Sequence, residues 1–266
     1  NKDVDYLASV SIDQIPYLQG DDDMQVFSYD NYAWNFLMMN EQDPHFRDQY
    51  VRNAIYHALD LDYIIEKALE GRGTAAPLPV NASISGYVEG YDTSEFDLNK
   101  AKECMAMSSY PEGFDMTIKV STDERENVAE VIGTLLSEIG ITIKIEKEEQ
   151  NQLLKEITER SYETAIISYS MSSGTIMHAE PLFRPGSSLN FSGCTDSRIF
   201  DLLEKACSVN KQEKNEYLSE AYQQMKDRND CIGLYWPTVY DAKTDHLKQL
   251  SPVTSEKFII ANMYWQ

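Results

Sequence analysis

Apolar residues recur along this chain with two different periods, and the alternation between them is the first guide to its fold. Val128, Val131, Ile132, Leu135, Leu136 and Ile139 fall at i, i+3, i+4, i+7, i+8 and i+11, which places them on one side of a helix predicted over 125–139. Gly140 ends that helix, and Ile141, Ile143 and Ile145 then alternate with Thr142 and Lys144 as a half-buried strand. Met116, Ile118 and Val120 give another alternating strand over 114–120. Short apolar runs predict strands at 164–169 and 231–236, the latter ended by Pro237. Leu153, Leu154 and Ile157 mark a helix, and longer helices are predicted over 197–209 and 213–228. Near the start, Val51, Ala54, Ile55, Ala58 and Leu59 share one helical face. Asp60 and Asp62 can cap a second helix over 63–69, and Gly71 can take the left-handed conformation that stops it. The chain finishes with a strand predicted at 258–263. Helices that separate short strands imply an α/β fold with a mixed sheet.

Composition narrows the function classes. A chain of 266 residues can bury one large core or two smaller ones. It contains no apolar run approaching the ~18 residues of a membrane helix, and no basic-plus-apolar signal opens it. With 23 basic and 44 acidic side chains the formal charge is −21, which disfavours nucleic acid and anionic lipid as partners. That charge is compatible with a cationic ligand, but a solvated acidic surface accounts for it more simply. Cys104, Cys194, Cys207 and Cys231 show neither CxxC nor zinc-finger spacing. Cys104 and Cys207 fall on apolar helix faces and read as buried thiols, while the even count also permits disulfides.

Catalytic patterns are missing. His178-Ala179-Glu180-Pro181 matches the H-x-E part of a zinc-deaminase site, but Cys194 has no second cysteine three residues on to complete it. There is no G-x-S-x-G elbow, H-E-x-x-H pair or phosphate-cradling loop, and His45, His57 and His246 stand isolated. We therefore expect a non-enzyme with no cofactor and no metal.

The most specific string is YVRNAIYHALDLDYIIEKALEGRGTAAPLP at 50–79. It resembles the VRxAIxxALDxxxIxxxxxxGxGxxAxxPxP block of the family 5 extracellular solute-binding proteins, the peptide- and nickel-type receptors of ABC importers. Further blocks follow in family order. Asp3-Val4-Asp5 and 36–40 precede the main block. Phe96-Asp97, Ala101-Lys102-Glu103, 110–114, Glu138-Ile139-Gly140-Ile141, 162–169, Asn190-Phe191-Ser192-Gly193 and Asp201-Leu202-Leu203 come after it.

The resemblance implies an α/β, periplasmic-binding-protein type II-like fold, in which two lobes close around a ligand at a hinge. The matched blocks belong to the second half of a longer chain. We therefore expect residues 1–38 to be a remnant of lobe I with the hinge strand, 39–246 to be lobe II, and 247–266 to be a strand returning to lobe I. A secretion signal, any lipid anchor and most of the first lobe are expected to lie outside this sequence. The implied function is capture of a small extracellular solute, most plainly an oligopeptide, for ABC permease subunits. It would operate at the extracellular face of the cell membrane or in the periplasm. A carbohydrate or other non-peptide receptor of the same family, and a sensor input domain, are the alternatives.

The candidate binding loop is Ser168-Tyr169-Ser170-Met171-Ser172-Ser173-Gly174, which leaves an apolar strand and turns polar. In peptide-binding members this position reads GWxxDYxDP, and its Asp holds the peptide ammonium group. Aligning Tyr169 with the Trp puts Ser172 at that Asp, and Ile166 where some oligopeptide receptors carry an Arg. Both charged clamps are thus absent, and a charge-assisted contact is worth roughly 1.5–3 kcal/mol. A ligand read by hydroxyls and aromatic faces gains ground. The ligand-site candidates are therefore Tyr169, Ser170, Met171, Ser172 and Ser173 of the loop, with Asn190 and the rings of Trp34 and Trp236 at strand ends. Asn190 has a second reading, in which it holds its own loop through an Asx turn.

Overall fold

The computed structural model describes residues 4–11, 14–171 and 173–248, with the backbone of 252–253, 257–258 and 264–265. The chain enters through β1 (Tyr6–Leu7), α1 (Ile15–Gln19) and β2 (Met24–Asp30) to β3 (Ala33–Met39). Three helices, α2 (Pro44–Arg47), α3 (Gln49–Ala58) and α4 (Leu61–Leu69), lead to β4 (Gly73–Ala75). Helices and strands then alternate: α5 (Leu98–Met107), β5 (Phe114–Val120), α6 (Asp123–Ser137), β6 (Ile141–Lys147), α7 (Gln150–Glu159) and β7 (Thr164–Ser170). A 3-10 turn (Ile176–Ala179), α8 (Glu180–Phe183), α9 (Arg198–Cys207) and α10 (Lys211–Arg228) precede the long β8 (Cys231–Thr244) and the short β9 (Leu247–Lys248).

The sheet runs β1-β8-β3-β7-β5-β6, with β2 and β4 also paired to β8. It is mixed as predicted: β5 is parallel to β6 and β7, whereas β3 is antiparallel to both β7 and β8. β3 is buried on both faces, which explains its continuous apolar run. Leu37 and Met39 enter a core formed with α3, α4, α5 and α6. Trp34, Phe36 and Met38 enter a second core with α7, α9 and α10 on the opposite face.

The α6 stripe packs as its spacing implies. Val128, Ala129, Ile132 and Leu136 are fully buried, and Val131 and Leu135 lean on the same core. Thr122 caps the helix by accepting from the Arg125 amide. Gly140 and Gly113 have φ of +81° and +89°, and they let β5 and β6 start side by side. A Cβ on Gly113 would stand 1.8 Å from the Gly140 carbonyl oxygen.

The structure corrects several expectations. Pro237 does not end β8. The strand continues to Thr244, because Pro237 sits where β8 changes partner from β3 and β4 to β2, and its carbonyl accepts from the Asn31 amide. Cys207 is exposed, since Ala206 occupies the buried position of α9, and no disulfide joins the four cysteines. Leu154 is exposed while Leu153 and Ile157 hold α7 down. Glu70, at φ +52°, takes the left-handed position at the end of α4, directly before Gly71. Residues 259–263 of the last expected strand lie outside the described residues. In urea unfolding, Leu136→Ala is expected to cost about 2–5 kcal/mol, and Leu135→Ala, at a partly buried position, distinctly less.

Candidate functional site

The carboxyl end of β7 is where buried strand gives way to polar loop. Ser168 and Ser170 are exposed on one side of the strand, and Tyr169 is half-buried on the other. The Tyr169 hydroxyl donates to the His178 carbonyl at 2.9 Å, and the two rings meet edge to face at 5.5 Å. His178 Nδ1 lies 2.8 Å from Ser173 Oγ, so the 3-10 turn is tied back to the loop. Burial, reinforced by the Glu180 carboxylate, pushes the Tyr169 phenol up, so its oxygen stays a neutral donor and acceptor.

Across the sheet stands a residue that sequence reasoning missed. Arg125, in the first turn of α6, donates through Nη2 to Ser168 Oγ at 2.8 Å and through Nε to Asn35 Oδ1 at 3.2 Å. A third, longer bond goes to Ser121 Oγ at 3.4 Å. All three partners are neutral, and burial lowers the guanidinium pKa. The adjacent Glu124 accepts from the Tyr235 hydroxyl at 2.7 Å, and burial together with that carboxylate pushes the Tyr235 phenol up. Glu124 also borders a cavity of about 320 Å³ that reaches Arg72, Pro237 and Tyr240. Arg125 escaped notice because it opens a helix, where a charged residue reads as solvated surface.

The remaining candidates divide sharply. Met171 is fully buried, its amide donating to the Tyr32 carbonyl. Trp34 and Trp236 are each 1% exposed. Trp34 stacks on Phe36 and donates its indole N–H to the Ala76 carbonyl at 2.9 Å, while the Trp236 indole N–H is buried without a partner. Their rings complete the core and leave no face for a ligand. Asn190 is 2% exposed and serves its own loop: its amide donates to the Arg184 and Cys194 carbonyls, and its oxygen accepts from Ser192 and Gly193. Ser172 lies outside the described residues. The H-x-E pair does not assemble, because Glu180 is bound by both Nε and Nη2 of Arg184, at 2.6 and 2.8 Å. A larger cavity, about 580 Å³, opens among Asn40, Lys119, Arg160 and Glu163. It is at the other end of β7 and touches none of the loop residues.

Residues 1–181 match the family model of the bacterial extracellular solute-binding proteins, family 5 (middle region). The chain belongs to this family. Among family 5 relatives, the oligopeptide-binding protein AppA of Bacillus subtilis is 24% identical over 237 residues, 81% of this chain and 44% of AppA. In shape the chain is similar to the ABC transporter substrate-binding protein CtaP of Listeria monocytogenes, with a TM-score of 0.88, 17% identity, and coverage of 98% of this chain and 56% of CtaP. It is also similar to the periplasmic binding protein DppA of Helicobacter pylori in complex with the peptide STSA, with a TM-score of 0.81 and 23% identity. That match covers 98% of this chain and 52% of DppA. The chain thus spans about half the length of the relatives it matches. The family 5 fold is shared. No helix among the described residues is long and apolar enough to cross a membrane.

If the Trp34 ring is a core element, Trp34→Phe strands the Ala76 carbonyl without its donor. We expect a stability loss of about 1–3 kcal/mol in chemical denaturation. Affinity for any ligand of the folded protein should stay unchanged.

Proposed function

We propose that this chain is the ligand-capturing lobe of an ABC-importer receptor that takes oligopeptide-type solutes outside the cytoplasmic membrane and carries out no turnover. In this reading residues 39–246 form the lobe, 1–38 and 247–266 join it to a second lobe, and the receptor delivers ligand to permease subunits. The observation that carries the proposal is the open carboxyl end of β7. Tyr169, Ser170, Ser173 and His178 offer hydroxyl, imidazole and aromatic surface there, and Arg125 offers a cation whose bonded partners are all neutral. Crevices at strand carboxyl ends are the usual ligand position in α/β folds. Among the described residues no carboxylate is bonded to His178, which argues against a hydrolytic triad at Ser173.

The arrangement makes a directional claim about peptides. Ile166 is fully buried and apolar, and in the alignment Ser172 falls where peptide-binding members carry the ammonium-holding Asp, so neither of these two positions supplies a charged partner for a peptide amino terminus. Arg125 is suited to a carboxylate. In calorimetric titrations of short peptides, acetylating the amino terminus should change affinity by less than about tenfold, or ~1.4 kcal/mol. Amidating the carboxyl terminus should weaken binding by more than that in the wild type, and by much less in Arg125→Gln. A hundredfold loss on acetylation would place an unrecognised carboxylate at the amine. Stabilisation by sugars with none by peptides would overturn the ligand class. One lobe supplies only part of an enclosing site, so binding to the 266-residue chain should be weaker than micromolar.

A further inference from the structure

At the end of the sheet remote from the ligand loop, three chain segments bring together groups that the binding reading does not use. Ala33 pairs with Ser170 and Met39 with Thr164, so Met39 lies about 20 Å from the β7 carboxyl end at ~3.3 Å per residue, and Glu41 follows just past β3. The Glu41 amide donates to the Ser192 carbonyl at 2.9 Å, which fixes this turn against the 190–194 loop. Asp230 lies between α10 and β8.

A carboxylate oxygen of Glu41, the Cys194 sulfur and a carboxylate oxygen of Asp230 all lie within 4.8 Å of one another. Cys194 and Asp230 are 6% and 4% exposed. Asp230 Oδ2 accepts from Arg228 Nη2 at 2.7 Å, but Oδ1 is buried with no hydrogen-bond partner, and so is Glu41 Oε1. Arg52 Nη2 stands 3.8 Å from that Oδ1, beyond hydrogen-bond reach. Arg228 Nη2 is shared between the Cys194 sulfur and Asp230 Oδ2, which leaves Asp230 Oδ1 and Glu41 Oε1 without a donor, and two such buried carboxylate oxygens are costly unless further positive charge joins them.

We propose that Glu41, Cys194 and Asp230 bind one divalent cation of the zinc class. A sulfur among the donors selects zinc or cobalt over magnesium and calcium, which prefer oxygen alone. Three protein donors leave a coordination position for water on the half-exposed Glu41 side. Arg228 Nη2 rests against the Cys194 sulfur and must yield it to the cation. Arg228 keeps Asp230 Oδ2 and Asp196 Oδ1, the latter 3.2 Å from its Nη1. The bound cation ties the turn after β3, the 190–194 loop and the start of β8 together. Its role is to brace the fold, remote from the solute.

The test uses the whole chain carrying Cys207→Ser, which removes an exposed thiol that is not among these donors. After chelator treatment, Co²⁺ should bind at one equivalent and produce a sulfur-to-cobalt absorption band in the near ultraviolet. Zn²⁺, but neither Mg²⁺ nor Ca²⁺, should raise the melting temperature. Cys194→Ser should abolish the band. Glu41→Gln, a mild change at a half-exposed residue that keeps the test decisive if Cys194→Ser fails to fold, should weaken Co²⁺ binding by about tenfold or more. The proposal falls if Co²⁺ gives no sulfur band, if Mg²⁺ stabilises as well as Zn²⁺, or if Glu41→Gln leaves the affinity unchanged.

Discussion

Everything in this molecule depends on β3 being covered on both faces. Trp34, Phe36 and Met38 on one side and Leu37 and Met39 on the other are each 1% exposed or less, and the strand has β7 and β8 as neighbours. A strand in that position can carry almost nothing polar along its length. Asn35 is the exception, and it is satisfied by the Ala33 carbonyl and by Arg125. Polar side chains are therefore driven to the strand ends. The two ends differ: one presents Arg125, Tyr169 and His178 beside an open loop, the other a buried cluster of acids, arginines and a thiol.

The same constraint explains why β8 is long. Its first half closes the sheet over β3, and past Pro237 it has left β3 and pairs with β2 and β1. That second half, with its partners, forms an extension whose residues 238–240 and 243–244 are only half-buried. A large acidic surplus is carried partly by networks such as Lys119, whose Nζ lies 3.1 Å from Glu146, 2.5 Å from Glu148 and 2.7 Å from Glu156. This network pins the ends of β5 and β6 to α7.

The α6 stripe and the β5 and β6 alternation were legible in the sequence because each follows one period for long enough to define a face. The family was legible because the string at 50–79 and the later blocks fall in order. The limits were equally physical. Pro237 reads locally as a stop, and only the change of pairing partner shows why the strand tolerates it. Cys207 looks apolar-facing until Ala206 takes that position. Trp34 and Trp236 look like cleft aromatics because nothing in one sequence separates a ring that lines a pocket from one that fills a core. Arg125 was invisible because two of its neutral partners, Asn35 and Ser168, come from strands distant in sequence. Glu41, Cys194 and Asp230 share no motif, since their approach is made by the folded chain alone.

The central claim is that solute meets this chain at the carboxyl end of β7, although the larger cavity lies at the other end. Amide chemical-shift mapping during a titration with a short peptide compares the two ends directly. The account predicts that the largest changes fall at Arg125, at 168–174 and at His178, with Asn40, Lys119 and Arg160 unmoved. Changes concentrated around Asn40, Lys119 and Arg160 would contradict it.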